Sequence, residues 1–243
     1  YKVINMQQYF ILEKIGTNDV ICFDDEQTHH IRDVLRMKEN TVVRIVDQDN
    51  KAAFATIFYE GKKVKASNIE LDLDNNEMTC QITLCLGLIK KEKWDVVLQK
   101  CTELGVSRII PFESSRTIVK AKEDKSTKKL ERWNKIMLEA AEQSKRNRVP
   151  IIYEPVQFKE LGKYLSDCNC VAYEDAKITG EKLRNLIDKR SMTIVIGPEG
   201  GLSSDEVDSL MNQGFHCISL GKRTLRAETA AMYVCSAIDA LVE

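Results

Sequence analysis

Over the first ~75 residues, apolar and β-branched residues come in short runs broken by turn signals. The runs are Tyr9–Leu12, Val20–Phe23, Thr41–Val46, Ala52–Tyr59 and Val64–Leu71. Asp24-Asp25, Asp49-Asn50 and Glu60-Gly61-Lys62 separate them. Closely spaced strands with tight turns predict a small barrel, interrupted by one helical turn around His29–Met37. The polar stretch Asp72–Glu77 then marks a boundary, giving one domain over 1–75 and a second over 76–243.

Beyond that boundary the period alternates between strand and helix. Ile82–Leu86, Ser107–Phe112, Cys170–Glu174, Thr193–Gly197 and Phe215–Ser219 read as strands. Glu92–Leu104 carries Trp94, Val97, Leu98, Cys101 and Leu104 on one helical face, with Gly105 placed to end it. Leu130–Ser144 is a second amphipathic helix, followed by Pro150, and a third is expected at about Gly180–Lys189. Ser203-x-x-Glu206 is a capping-box pattern opening a helix over Ser204–Asn212, and Ala227–Leu241 is the last helix. Strand-helix alternation of this length predicts an α/β domain with a parallel sheet covered on both faces.

The 243 residues carry a net charge of −1, so overall charge does not advertise a nucleic-acid partner. Its distribution changes the picture. Residues 1–76 are net −3, residues 86–150 net +7 and residues 151–243 net −4. The central excess lies in Lys90-Lys91-x-Lys93, Lys120–Lys135 and Lys145-Arg146-x-Arg148. Such a stripe is either a phosphate-neutralising surface or the solvated side of amphipathic helices. No apolar run approaches a membrane span, and no signal peptide is visible, so a cytosolic protein is expected. Met6 reads as a start position, with Tyr1–Asn5 ahead of it. The eight cysteines form no C-x-x-C pair, and free buried thiols are the expectation. Three histidines without H-E-x-x-H give no metal site.

Thr193–Ser204, T-I-V-I-G-P-E-G-G-L-S-S, carries the strongest local signal. A buried strand enters a glycine-rich turn and then a capped helix, the place where parallel sheets bind ligands. It matches neither G-x-G-x-x-G nor the P-loop, and a tight turn that merely needs glycine is the alternative. Ser219–Ala231, S-L-G-K-R-T-L-R-A-E-T-A-A, is a second strand-helix junction. There Arg226 is placed to hold an anion or a base edge, whereas Glu228 also suits any helix N-terminus. Gln99–Pro111 is mostly core helix, with Arg116 beyond it. Glu139–Pro150 ends in cations that either meet phosphates or complement a helix C-terminus. His29-His30 diverge on a helix and make a poor metal pair.

Five strings in this order resemble one family: H-H-I-R-D-V-L-R (29–36), Q-K-C-T-E-L-G-V (99–106), E-A-A-E-Q-S-K-R-N-R-V-P (139–150), I-G-P-E-G-G-L-S (196–203) and L-G-K-R-T-L-R-A-E-T-A (220–230). It is the bacterial 16S ribosomal RNA (uridine-N3) methyltransferase family, of the SPOUT or trefoil-knot class. The resemblance implies an N-terminal PUA-like β-barrel that helps bind RNA and a C-terminal trefoil-knotted domain that binds S-adenosyl-L-methionine. Carried over by position, the cofactor would be held by Leu86, Ile196, Gly197, Pro198, Glu199, Gly200, Gly201, Ser219, Leu220, Gly221, Leu225, Arg226, Thr229 and Ala230. Arg226 and Glu228 are the expected catalytic residues, and His30, Arg36, Lys90, Lys91, Arg116, Arg146 and Arg148 the expected RNA contacts. The implied partners are 16S rRNA in the 30S subunit and a second copy of the chain, with no membrane.

Two departures stand out. Gln8 precedes Tyr9-Phe10 where the family usually has arginine, and Ile89-Lys90-Lys91 replaces the usual Pro-Lys-Gly. A SPOUT enzyme with another RNA target and a non-catalytic RNA-binding factor are the rival readings.

Overall fold

The computed structural model describes residues 6–16, 20–117, 126–174, 181–187 and 190–242. The chain divides into two compact units, Tyr1–Glu77 with Ala141–Arg148, and Met78–Ala140 with Val149–Glu243.

The first unit is a curled five-stranded sheet. Its strands are β1 (Gln8–Phe10), β2 (Ile21–Cys22), β3 (Val42–Val46), β4 (Ala52–Glu60) and β5 (Lys63–Asp72), in the order β1-β3-β4-β5-β2. β1 runs parallel to β3, and the other pairs are antiparallel. Alternation along β3–β5 turns Val43, Ile45, Ile57, Val64 and Ala66 inward, onto Tyr9, Phe23 and Ile31. The helical turn starts earlier than the apolar pattern suggests, as α1 (Asp25–His29), continued by one π-helical turn over His30–Val34. Asp24 decides that start: its Oδ1 accepts the Gln27 amide at 2.7 Å, and Gln27 Oε1 accepts the Asp24 amide at 3.3 Å.

Ala141–Arg148 joins this unit through buried polar groups. Arg44 donates to Asp72 Oδ2 (2.7 Å), Gln8 Oε1 (2.7 Å) and Asn147 Oδ1 (2.8 Å). Gln8 Nε2 in turn donates to the Arg146 carbonyl at 2.7 Å. Glu77 receives Arg146 Nε at 3.2 Å, Arg148 Nε at 2.8 Å and the Asn147 amide at 2.9 Å. A buried arginine is tolerable only when its donors are satisfied this fully.

The second unit is an eight-stranded sheet, parallel throughout among the described residues. It comprises β6 (Gln81–Gly87), β7 (Arg108–Glu113), β8 (Ile151–Ile152), β9 (Val156–Gln157), β10 (Cys168–Ala172), β11 (Glu181–Lys182), β12 (Ser191–Ile196) and β13 (His216–Ser219). The order is β11-β13-β10-β12-β6-β7-β8, with β9 beside β7. Ile82, Leu84 and Leu86 of β6 face α2 (Lys91–Glu103), α3 (Ser126–Gln143) and α5 (Ala227–Val242) through one core. Cys85 and Val195 point the other way, into a second core with Val207 and Leu210 of α4 (Ser204–Met211). Both faces are therefore covered, as a parallel sheet requires.

Sequence and structure part company at 180–189. The described residues 181–187 form no α-helix. β11 pairs with β13, Glu181 opposite Ile218, and a single 3-10 turn follows over Leu183–Asn185. Leu183, Leu186 and Ile187 have helical spacing, but the open edge of β13 supplies the backbone partners instead. Gly180, Asp188 and Lys189 lie outside the described residues. β8, β9 and the 3-10 segment Phe158–Tyr164 were not expected, because two-residue strands carry no readable period. All eight cysteines are free. Among the described residues no helix is long and apolar enough to cross a membrane.

Candidate functional site

β12, β10 and β13 lie side by side, with β10 in the middle, and their carboxyl ends open on a cavity of about 380 Å³. That volume falls within the usual range for small-ligand sites, and the sheet edge is their usual place.

The first wall is the loop after β12. The Gly201 amide donates to the Pro198 carbonyl at 2.8 Å, closing a turn with Gly201 at φ +69°. A Cβ on Gly197 would lie 2.9 Å from Gly201 C and 3.0 Å from Leu202 N, so the loop folds back on itself only with glycine there. Ser203 then caps α4: its Oγ accepts the Glu206 amide at 3.2 Å, and Glu206 Oε2 accepts the Ser203 amide at 2.9 Å. The second wall is Ser219–Arg226, leading into α5. The Arg226 carbonyl accepts the Ala230 amide at 2.8 Å, so Arg226 stands at the positive end of that helix. The end of β10 supplies the third wall, through Ala172, Tyr173 and Glu174. From α2, Lys93 closes the rim, with Nζ 3.4 Å from Glu228 Oε1 and 3.8 Å from Glu199 Oε1.

Of the residues expected to hold the cofactor, Ile196, Gly197, Pro198, Glu199, Gly200, Gly201, Ser219, Leu220, Gly221, Leu225, Arg226 and Ala230 line this cavity. Leu86 does not: it is fully buried in the core beneath the helices. Thr229 is exposed on α5 and lines no part of the cavity. Arg226 lines it, but Glu228 does not. Glu228 instead pairs with Lys93, since residues two apart at a helix start do not face each other.

Sequence reasoning missed Lys93, Tyr173, Glu174 and Arg223 as lining residues, and Gly87 as a structural requirement. Of the basic cluster, Lys93 lines the cavity, and Lys90 and Lys91 do not. The end of β10 is invisible without the strand order, which puts it between the two glycine-bearing loops.

The expected RNA contacts have different local surroundings. Arg36, Lys90 and Lys91 are exposed, Arg36 in the left-handed conformation at φ +49°. His30 Nδ1 shares a hydrogen bond with the Tyr9 hydroxyl at 3.1 Å. Arg116 donates to the Leu202 carbonyl at 3.2 Å and the Gly200 carbonyl at 3.4 Å, bracing the glycine-rich loop. Arg146 is a correction: only 2% exposed, with its guanidinium on Glu77, it is part of the fold and not a free RNA contact. Arg148 shares that carboxylate and stays a third exposed. Burial would raise the Glu77 pKa, but hydrogen bonds and charge from Arg146 and Arg148 outweigh it and hold the carboxyl below its ordinary range. Gln8, at the unusual N-terminal position, is buried between Arg44 and Arg146.

Comparisons with known proteins converge on this geometry. Residues 76–239 match the RNA methyltransferase domain family, and residues 23–65 match the RNA methyltransferase PUA domain. The chain is 38% identical to ribosomal RNA small subunit methyltransferase E of Bacillus subtilis, covering 96% of each chain. It is 33% identical to the protein of that name from Mesomycoplasma hyopneumoniae, over 94% of this chain and 97% of the relative. The crystal structure of the Neisseria gonorrhoeae ribosomal RNA small subunit methyltransferase E, bound to S-adenosyl methionine, superposes with a TM-score of 0.88 at 29% identity, covering 97% of this chain and 98% of that one. With its SPOUT-type parallel-sheet domain and N-terminal PUA domain, the chain belongs to the RNA methyltransferase family of the ribosomal RNA small subunit methyltransferases E.

Proposed function

We propose that the chain transfers a methyl group from S-adenosylmethionine to N3 of a uridine in 16S rRNA of the small ribosomal subunit. The observation that carries the transferase reading is the cavity at the ends of β10, β12 and β13, built from the two glycine-bearing loops. Its chemistry fits the cofactor. Ile196, Leu220, Leu225 and Ala230 give an apolar slot for a purine, and the surrounding loops offer backbone donors and acceptors for ribose and amino-acid groups. The choice of uridine N3 rests on the five-string resemblance.

S-adenosylmethionine supplies an electrophilic methyl group on a sulfonium. Uracil N3 carries a proton in the neutral base and must lose it to become nucleophilic. The negative charge then spreads onto the two ring carbonyls. Arg226, exposed at the cavity and backed by the positive end of α5, is placed to stabilise that charge. A base in structured RNA must be splayed out to reach such a site. Exposed Arg36, Lys90 and Lys91 serve as phosphate contacts in this reading.

The enzyme acts as a homodimer in the cytoplasm. The exposed residues of α5, Thr229, Tyr233, Ser236, Ala240 and Leu241, are uncharged, with Tyr233 46% and Leu241 54% exposed. A second copy of the chain is the partner that such a face suits.

Incubation with methyl-labelled S-adenosylmethionine and undermethylated 30S subunits tests the reading, with nucleoside analysis of the 16S rRNA. 3-Methyluridine is the expected product. A different methylated nucleoside would move the enzyme to another target. RNA binding without transfer would point to an assembly factor.

A further inference from the structure

Lys93 stands on the first turn of α2 and forms part of the cavity rim. Its Nζ lies between two carboxylates from different elements, 3.4 Å from Glu228 and 3.8 Å from Glu199. Glu199 belongs to the loop after β12, and Glu228 to the first turn of α5. The Lys90 amide donates to Glu199 Oε1 at 3.2 Å, so that carboxylate also sits at the N-terminal end of α2, where negative charge is favoured. Glu228 has less support. Its Oε2 is buried and has no hydrogen-bond partner among the described residues. Lys93 is the cation that compensates it.

We propose that Lys93 is a positioning residue that sets the width of the cofactor cavity by bridging Glu199 of the loop after β12 to Glu228 at the start of α5. The inference rests on reading this cavity as the S-adenosylmethionine site. Removing the ammonium leaves two carboxylates facing the gap that it filled. One of them is desolvated, so repulsion there is weakly screened. The loop after β12 and the start of α5 then move apart and the cavity loses its shape, although neither glutamate has changed. A lysine that served only as a direct donor to the ligand would behave differently, because neutralising Glu228 would not repair its loss.

The test uses the full chain in five forms: wild type, Lys93→Met, Lys93→Arg, Glu228→Gln and the double variant Lys93→Met with Glu228→Gln. Calorimetric titration with S-adenosylmethionine is paired with thermal midpoints measured without ligand. We expect Lys93→Met to bind about tenfold more weakly or worse, Lys93→Arg to stay near wild type, and the double variant to recover most of the loss. Without ligand, Lys93→Met lowers the midpoint and Glu228→Gln in the same chain restores it, a coupling that distant sites do not show. Wild-type affinity in Lys93→Met, or a loss that Glu228→Gln leaves unrepaired, would overturn the proposal. So would midpoint changes that simply add. If wild type itself does not bind, the cofactor reading fails, while the ligand-free coupling still decides the bridge.

Discussion

Gly87, the last residue of β6, faces Pro198 so closely that a Cβ built on it would lie 2.4 Å from the Pro198 nitrogen. The glycine-rich loop can therefore cross the end of β6 only because that strand ends without a side chain. Backbone atoms cannot rotate away as a side chain would, so Gly87→Ala must push the 197–198 segment outward. An overpacked site of this kind costs about 1–3 kcal/mol. We expect a lowered thermal midpoint together with weakened S-adenosylmethionine binding. Calorimetry and thermal unfolding on one preparation check this, and unchanged affinity would show that the loop position does not govern the cavity.

Arg226 is expected to act on the reaction and not on cofactor binding. Arg226→Ala should keep cofactor affinity near wild type and lower turnover on 30S subunits by about 10²–10³-fold, the usual effect of removing one group that stabilises developing negative charge. Single-turnover rates at saturating cofactor measure it. A wild-type rate would remove Arg226 from the mechanism.

Glu77 holds two arginines in the first unit, one of them almost fully buried. Glu77→Ala removes the carboxylate that pairs with the buried Arg146 guanidinium, and should destabilise the protein by about 3–5 kcal/mol. Its pKa is depressed in the fold, so the unfolded chain binds a proton more readily. The stabilisation is thus fully present above the unfolded glutamate pKa of about 4.3 and disappears as pH falls through the lower folded value. Urea midpoints of wild type and Glu77→Gln, compared from neutral to acid pH, should converge below pH ~4. A gap that stays constant with pH would remove this linkage.

Arg36, Lys90 and Lys91 give the RNA prediction its sharpest form. Changing all three to alanine should reduce the slope of log affinity against log salt by about 2–3, since each phosphate neutralised contributes somewhat less than one. Filter binding across a salt series reads the slope. An unaltered slope would return these residues to the solvated surface. Arg146→Ala belongs to a different class, because its side chain is committed to Glu77 and its loss should appear first as instability.

Local pattern carried much of the architecture. The capping box at Ser203 and Glu206, the helix with Trp94, Val97, Leu98 and Cys101 inward, and the alternation along β3–β5 were all legible. They depend on residues within a few positions of one another, and period and capping are local physics. The two glycine-bearing loops were legible as well, because a loop that folds back on its own backbone needs glycine in the chain itself.

What the sequence by itself determined, then, was the set of elements and the two loops that build the cavity. Tertiary structure decided which distant residues complete it. Strand order placed β10 between β12 and β13, bringing Tyr173 and Glu174 to the cavity and making Gly87 indispensable under Pro198. It also chose Lys93 over its neighbours by the direction of one helical turn, and it turned Arg146 from a surface cation into a buried partner of Glu77. A cation reads alike in sequence whether it faces solvent, a cavity or a carboxylate 69 residues away. Only the packed chain fixes its surroundings, and burial and pairing set what the charge can do.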